Sequence, residues 1–313
     1  MTIDNASSAK QQLGFEDLLL SFIRDCKAKN LSSLTIRSYQ DSILQLRDTF
    51  EKQGIPLDIY NLTSREIKDH FIAYLFDQGR SDNTVNSRIK GLKQFLKYLF
   101  TEGWLTQNIA DELHVAKAEK LMLQTFTKEQ VTTLLEQPDR KTFTGIRDYT
   151  MMMVLLETGL RISELCHIKL GDVFFREQEI RVTKGKGGKA RRVPFQQTCA
   201  KIIRKYLDIR GDLETDMLFV NINNEGISTR ALQEKMQDYG NAAGIRGVRV
   251  SPHTFRHTMA KFYILNGGDP FTLRRILGHA TLDMVEYYIE LFGSDIKKQH
   301  KKFSPVENMR RIV

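Results

Sequence analysis

The chain reads as a mainly α protein of two domains, an N-terminal helical bundle followed by a mixed α+β domain with a small antiparallel sheet. Three observations predict this. Its 313 residues are too many for one core of ordinary size, at about 150 residues per domain. Apolar residues recur at helical spacing through residues 1–115. Farther on, two short β-type runs flank a glycine-rich turn within otherwise helical sequence.

Phe15, Leu18, Leu19, Phe22 and Ile23 share one face of a helix over Phe15–Lys29. Ile36, Tyr39, Ile43, Leu44 and Leu46 mark a second over Ser33–Phe50. Thr63 and Glu66 form a capping box ahead of a third, which carries Ile67, Phe71, Ile72 and Leu75. Ser81 or Asn83 caps a fourth, through Val85, Ile89, Leu92, Leu96 and Leu99. Short connections make residues 1–115 a compact four-helix arrangement. Residues 116–126 lack clear periodicity and contain lysines, as a linker does, and Thr127 with Gln130 opens the second domain, 127–313. There a buried helix spans Gly145–Glu157, strands cover Glu179–Thr183 and Ala190–Pro194, and Met217–Asn221 is a further candidate strand.

With 41% hydrophobic and 27% charged residues the composition is globular, not disordered. The net charge is +9. The first 118 residues hold 15 basic and 15 acidic side chains, so the whole excess lies beyond them. An acidic polymer such as nucleic acid fits that surface. Cys26, Cys166 and Cys199 are far apart and form no CxxC pair, which fits a reducing compartment. No apolar run approaches the ~20 residues of a membrane span, and the N-terminus has no secretory pattern. The expectation is a cytoplasmic protein with no membrane partner.

Four segments carry chemistry. In SPHTFRH, Ser251 is a good N-cap and Pro252 suits the first helical position. His253 and Arg256, three apart, then share a helix face near an end that attracts anions. In RRILGHATLDMVEYY, Asp269-Pro270 starts a helix, Gly278 ends it and His279 emerges at the turn. Thr281 caps the next helix, which carries Tyr287 and Tyr288. In TGLRISEL, Arg161 comes just after a helix-breaking Thr158-Gly159, Ser163 is placed to cap the next helix, and Glu164 is a natural partner for the arginine. In VTKGKGGKARRVP, Lys184, Lys186, Lys189, Arg191 and Arg192 crowd one hairpin, where glycines permit close approach to a ligand. It is no Walker loop, since the GKT/S ending is missing. Taken singly, each segment also reads plainly, as a surface helix, a core tyrosine pair, a local ion pair or a solvated basic turn.

Jointly the segments resemble the tyrosine recombinase family of Xer-type resolvases, phage integrases and Cre. The family's ordered signature is an arginine in a GLR-xSEL segment, a hairpin lysine, an HxxR helix, a GH pair, and a tyrosine nine residues after that histidine. Arg161, Lys186, His253 with Arg256, His279 and Tyr288 match it in order. One departure is Tyr287-Tyr288-Ile289, where the family usually has Thr or His beside the tyrosine. Spacing from His279 favours Tyr288. The helical first domain is similar to the family's SAM-like core-binding domain.

The resemblance implies a chemistry. Arg161 and Arg256 hold phosphate oxygens, with His279 as a third donor. Tyr288 attacks, giving a 3′-phosphotyrosine and a free 5′-hydroxyl, and the covalent bond conserves energy so that no ATP is needed. Lys186 is the general acid, His253 assists proton transfer at the tyrosine, and Glu164 orients Arg161. No HExxH or Cys/His spacing calls for a metal, and no cofactor is expected. The implied substrate is a double-stranded DNA recombination site, bound as a tetramer whose basic C-terminal tails pack on neighbouring protomers. A directionality factor is a further candidate partner. Arg88, Lys90, Lys93 and Lys97 on the fourth helix, with Lys184, Lys189 and Arg191 in the hairpin, are candidate DNA contacts. Integration, excision and resolution are all open roles. An Xer-like or small mobile-element enzyme fits better than a large phage integrase, since the first helix starts near Phe15. The competing readings are a type IB topoisomerase, a DNA-binding regulator without catalysis and, more distantly, a metal-dependent nuclease.

Overall fold

A computed structural model describes residues 13–115, 123–183, 190–278, 288–290, 300–302 and 304–306. The chain divides into two compact units, Met1–Leu121 and Met122–Val313.

The first unit is helical. Its elements are α1 (Phe15–Ala28), α2 (Ser33–Lys52), α3 (Ser64–Glu66), a π-helical stretch at Ile67–Ile72, α4 (Ala73–Asp77) and α5 (Asp82–Thr101), with a 3₁₀ turn at Ile109–Glu112. The capping box is present: Thr63 Oγ1 accepts from Glu66 N at 3.2 Å, and Glu66 Oε2 accepts from Thr63 N at 2.9 Å. The sequence predicts one continuous third helix; the π-helical stretch interrupts it, and period alone carries no sign of that. Phe22 and Phe95 meet edge-on at 5.4 Å within a core that includes Ile43, Leu46, Phe50, Phe71 and Leu92. Gly91 lets α5 lie close on α2, since a Cβ there would stand 2.5 Å from Ser42 Oγ.

The second unit is mixed. It contains α6 (Lys128–Glu136), α7 (Phe143–Thr158), α8 (Ile162–Leu165), a 3₁₀ turn at Leu170–Asp172, strands β1 (Val173–Phe174), β2 (Glu179–Val182) and β3 (Arg191–Pro194), then α9 (Gln197–Arg210), α10 (Thr229–Ala242), α11 (Pro252–Leu265) and α12 (Pro270–Leu277). The sheet is antiparallel in the order β1-β2-β3, with Ile180 opposite both Val173 and Val193. β2 and β3 lie where expected. The third strand is Val173–Phe174 rather than Met217–Asn221, whose backbone makes only isolated bridges, Lys169 to Met217 and Val220 to Gly226. Two residues are too few to show an alternating pattern, so the strand is invisible to periodicity.

α7 packs against α9 and α11 and buries Met151, Met152, Val154 and Leu155. Residues just before α6 lie on α11. Phe126 N donates to Thr258 Oγ1 at 2.9 Å, Lys261 Nζ to Thr125 Oγ1 at 3.1 Å, and the Phe126 ring meets Phe255 edge-on at 5.2 Å. Phe126, which the sequence places in the linker, is fully buried in this core. Cys26, Cys166 and Cys199 are all free and buried.

Candidate active site

The site is built where α7, α8, α11 and α12 meet. α7 ends because Gly159 turns left-handed at φ 62. A Cβ there would come 2.7 Å from Leu277 Cδ2, on a backbone conformation that residues with a Cβ rarely adopt. Two residues on, Arg161 occupies the N-cap position of α8. Ser163, expected to cap this helix, lies inside it. Glu164 reaches back instead: its Oε2 accepts the Arg161 backbone N–H at 2.9 Å and its Oε1 accepts Arg161 Nη1 at 2.9 Å.

α11 starts as its sequence predicts. Ser251 Oγ accepts from Thr254 N at 3.3 Å, and Pro252 is the first helical residue. Arg256 is buried, donating to Gly159 O at 2.5 Å and to Leu277 O at 2.8 Å. His253 is exposed. The histidine that touches a tyrosine is His257, whose Nδ1 lies 2.5 Å from the hydroxyl of Tyr288. Tyr288 is only 1% exposed. Sequence reasoning missed His257. The signal available was its place beside Arg256 and one helical turn after His253.

α12 is capped by Asp269, whose Oδ2 accepts from Thr272 N at 2.6 Å, and ends at Gly278 with φ 63. Its last carbonyls receive arginines. Arg161 Nη2 donates to Gly278 O at 3.0 Å, and Arg191 Nε to Ile276 O at 3.1 Å. Arg191 also lies bidentate on Glu164, at 2.9 and 2.8 Å. Arg191, expected on the DNA side of the hairpin, therefore turns its guanidinium inward.

Burial and charge set the proton affinities. Burial, then the neighbouring Arg161, lowers Arg256 to about 10. Burial opposes ionisation of Glu164, yet Arg191 and Arg161 outweigh it and hold the carboxyl below its usual value. Burial raises Tyr288 to about 12, against the pull of Arg256. Burial, with His253 and Arg256 nearby, lowers His257 to about 4. At neutral pH His257 is therefore uncharged, with Nδ1 within hydrogen-bond distance of the Tyr288 hydroxyl.

The structure thus brings Arg161, Glu164, Arg256 and Tyr288 into one cluster with Arg191 and His257. Lys184, Lys186, Lys189, His279, Thr281 and Tyr287, and most of the C-terminal tail, lie outside the described residues. On α5, 100° per residue puts Lys90 and Lys97 on one face and Arg88 nearly opposite. Lys93 Nζ donates to Leu113 O at 2.7 Å. Among the described residues, no three His, Cys, Asp or Glu side chains are grouped to hold a metal ion.

Known proteins resemble this chain in sequence and fold. The family model described as "Phage integrase family" matches residues 124–294, and "Phage integrase, N-terminal SAM-like domain" matches residues 21–103. The chain is 30% identical to tyrosine recombinase XerC of Staphylococcus haemolyticus (strain JCSC1435), over 93% of this chain and 97% of that protein. It is 29% identical to tyrosine recombinase XerD of Staphylococcus aureus (strain Mu50 / ATCC 700699), over 88% of this chain and 94% of that one. A lambda integrase tetramer bound to a Holliday junction shares the fold, with a TM-score of 0.72 at 17% identity, covering 90% of this chain and 78% of that chain. A family model spanning more than half the chain, a relative matched almost end to end and a shared fold converge on one answer: the chain belongs to the phage integrase family and is a tyrosine site-specific recombinase.

Proposed function

We propose that Tyr288 is the nucleophile with which this chain cuts and rejoins a specific DNA site, and that His257 takes its proton. The observation that carries this reading is the 2.5 Å contact between the Tyr288 hydroxyl and His257 Nδ1, on the helix that also carries Arg256. A phosphodiester gathers negative charge as it is attacked, and fixed cations aimed at that charge supply the largest catalytic term. Arg161 and Arg256 each keep N–H donors beyond those committed to Glu164, Gly159 and the end of α12. They form the phosphate clamp. As the phosphate enters, its charge opposes that of Arg256 and raises the proton affinity of His257 when the phenol must ionise. The O–H bond of Tyr288 breaks, the proton passes to Nδ1, the phenol oxygen bonds to phosphorus, and the bond to the 5′-oxygen breaks. Lys186 protonates that oxygen, and His279 adds a donor to the clamp. His253, exposed at the start of α11, contacts the DNA phosphate rather than the tyrosine.

Lys184 and Lys189 in the hairpin, with Lys90 and Lys97 on α5, contact the DNA backbone. The working assembly is a tetramer on two DNA sites, by likeness to the lambda integrase tetramer. Incubation with nicked site DNA in EDTA should give an adduct stable to SDS. Tyr288→Phe should abolish the adduct while DNA binding persists. A dead Tyr287→Phe beside an unaffected Tyr288→Phe would overturn the choice of nucleophile.

A further inference from the structure

Three arginines converge on the end of α12. A helix leaves its last carbonyls without partners inside the helix. Here Ile276 O receives Arg191 Nε at 3.1 Å, Leu277 O receives Arg256 Nη2 at 2.8 Å, and Gly278 O receives Arg161 Nη2 at 3.0 Å. The carboxylate among them is Glu164, whose side chain is only 1% exposed. It faces more positive charge than it can neutralise, and the way that charge is divided matters.

Arg191 takes Glu164 with both terminal nitrogens, one on each oxygen, at 2.9 and 2.8 Å. Arg161 reaches the same carboxylate with one side-chain nitrogen only. A bidentate fork is the stronger and better-oriented pairing. Arg191 is therefore the main counter-charge of Glu164, and Arg161 keeps most of its donors free of the carboxylate. Arg191 is also fitted into place: a Cβ at Gly278 would stand 2.7 Å from its Nε and 2.8 Å from its Cζ. Remove Arg191 and Glu164 has a single guanidinium left to neutralise it. Arg161 would then turn toward the carboxylate and away from any phosphate.

Resting on the phosphate clamp proposed above, we infer that Arg191 is a positioning residue of the strand-cleavage reaction, which satisfies Glu164 so that Arg161 remains available and aimed at the scissile phosphate. It touches neither substrate nor nucleophile; it acts through Glu164 and Arg161. The hairpin that supplies Lys186 thus also fastens the clamp, because β3 begins at Arg191.

A change of substrate charge tests this. Adduct formation by the full chain is timed on nicked site DNA with an ordinary scissile phosphate, and again with an uncharged methylphosphonate there. A defect in neutralising phosphate charge must shrink when that charge is absent. Arg161→Ala sets the scale. Arg191→Gln should lose about 10²-fold on the phosphate, comparable with the loss of one preorganised donor. On the methylphosphonate its loss should shrink to within about tenfold. Arg191→Lys, which keeps a charge but not the fork, should fall between wild type and Arg191→Gln. Combining Arg191→Gln with Arg161→Ala should add little to Arg161→Ala alone. If Arg191→Gln loses as much on the methylphosphonate as on the phosphate, the inference is overturned and the recombinase reading stands. If both Arg191 variants fail to fold, judged by circular dichroism, Arg191 serves the fold and the inference is equally overturned. A wild-type chain that forms no adduct on its site would sink the reading on which the inference rests.

Discussion

His253 and His257 sit one helical turn apart on α11, yet the first is exposed and the second is bonded to Tyr288 at 2.5 Å. Removing a positioned proton acceptor costs about 10²- to 10⁴-fold in rate. His257→Gln should therefore slow adduct formation by that range without weakening DNA binding, as measured by gel shift beside the SDS assay. An unchanged rate would return the role to His253. The same histidine marks the stability of the fold. Its proton affinity lies near 4 when folded, below the usual 6.5. Between those values the unfolded chain binds a proton that the folded chain refuses, so its contribution is intact above 6.5 and lost as pH falls toward 4. Burial sets this first, then the neighbouring His253 and Arg256; Tyr288 faces the same ring. Glu164 acts lower, since its carboxyl is held below 4.5. His257→Gln should flatten the fall in urea midpoint between pH 6.5 and 4.5, and an equal fall in both proteins would count against a buried neutral imidazole. Arg161, Glu164, Arg256 and Tyr288 are nominated by sequence because each belongs to a short motif of fixed spacing. His257 offers only its place beside Arg256 and one turn after His253; its contact with Tyr288, 31 residues away, is made by folding.

At the scale of elements, what the sequence reveals are the places where local chemistry decides structure. Thr63 with Glu66, Thr127 with Gln130, Ser251 with Pro252 and Asp269 with Pro270 each start a helix as their side chains require. Long-range decisions stay hidden. Met217–Asn221 has the look of a strand, but its amides bond to separate loops: Leu218 N to Ile168 O and Asn221 N to Glu225 O. The start of α7 shows how tightly one element can be fixed. Thr142 Oγ1 accepts from Gly145 N at 3.0 Å, and a Cβ on Gly145 would fall 1.9 Å from Asp139 O. That neighbour is backbone and cannot swing aside. Gly145→Ala should destabilise the chain by roughly 1–3 kcal/mol, as overpacking does, read as a drop in thermal midpoint. A neutral result would mean that the turn at Asp139 yields freely.

For the whole molecule, charge is the leading quantity. The excess of +9 lies entirely beyond residue 118, so the proposed DNA contacts of a neutral first unit require local basic patches. Lys90 and Lys97 are exposed on α5, whereas Lys93 is tied to Leu113 O. Reversing Lys90 and Lys97 to Glu should weaken binding and lower the slope of log affinity against log salt by about 0.9 for each phosphate no longer neutralised. Lys93→Glu should instead show in stability. An unaltered slope in the double variant would remove this face of α5 from the interface. Efficient relaxation of supercoiled DNA that lacks a specific site would point to topoisomerase behaviour.

The three buried cysteines have a practical consequence. Burial pushes the Cys166 and Cys199 thiols up to about 12, and raises Cys26 as well. Thiols in that state are poor nucleophiles at neutral pH, so the native chain should be nearly silent to maleimide dyes. One cysteine introduced at Lys97 would then be the sole site labelled at speed. A fluorophore there would report DNA engagement in real time, with no need to strip the natural cysteines from the core first.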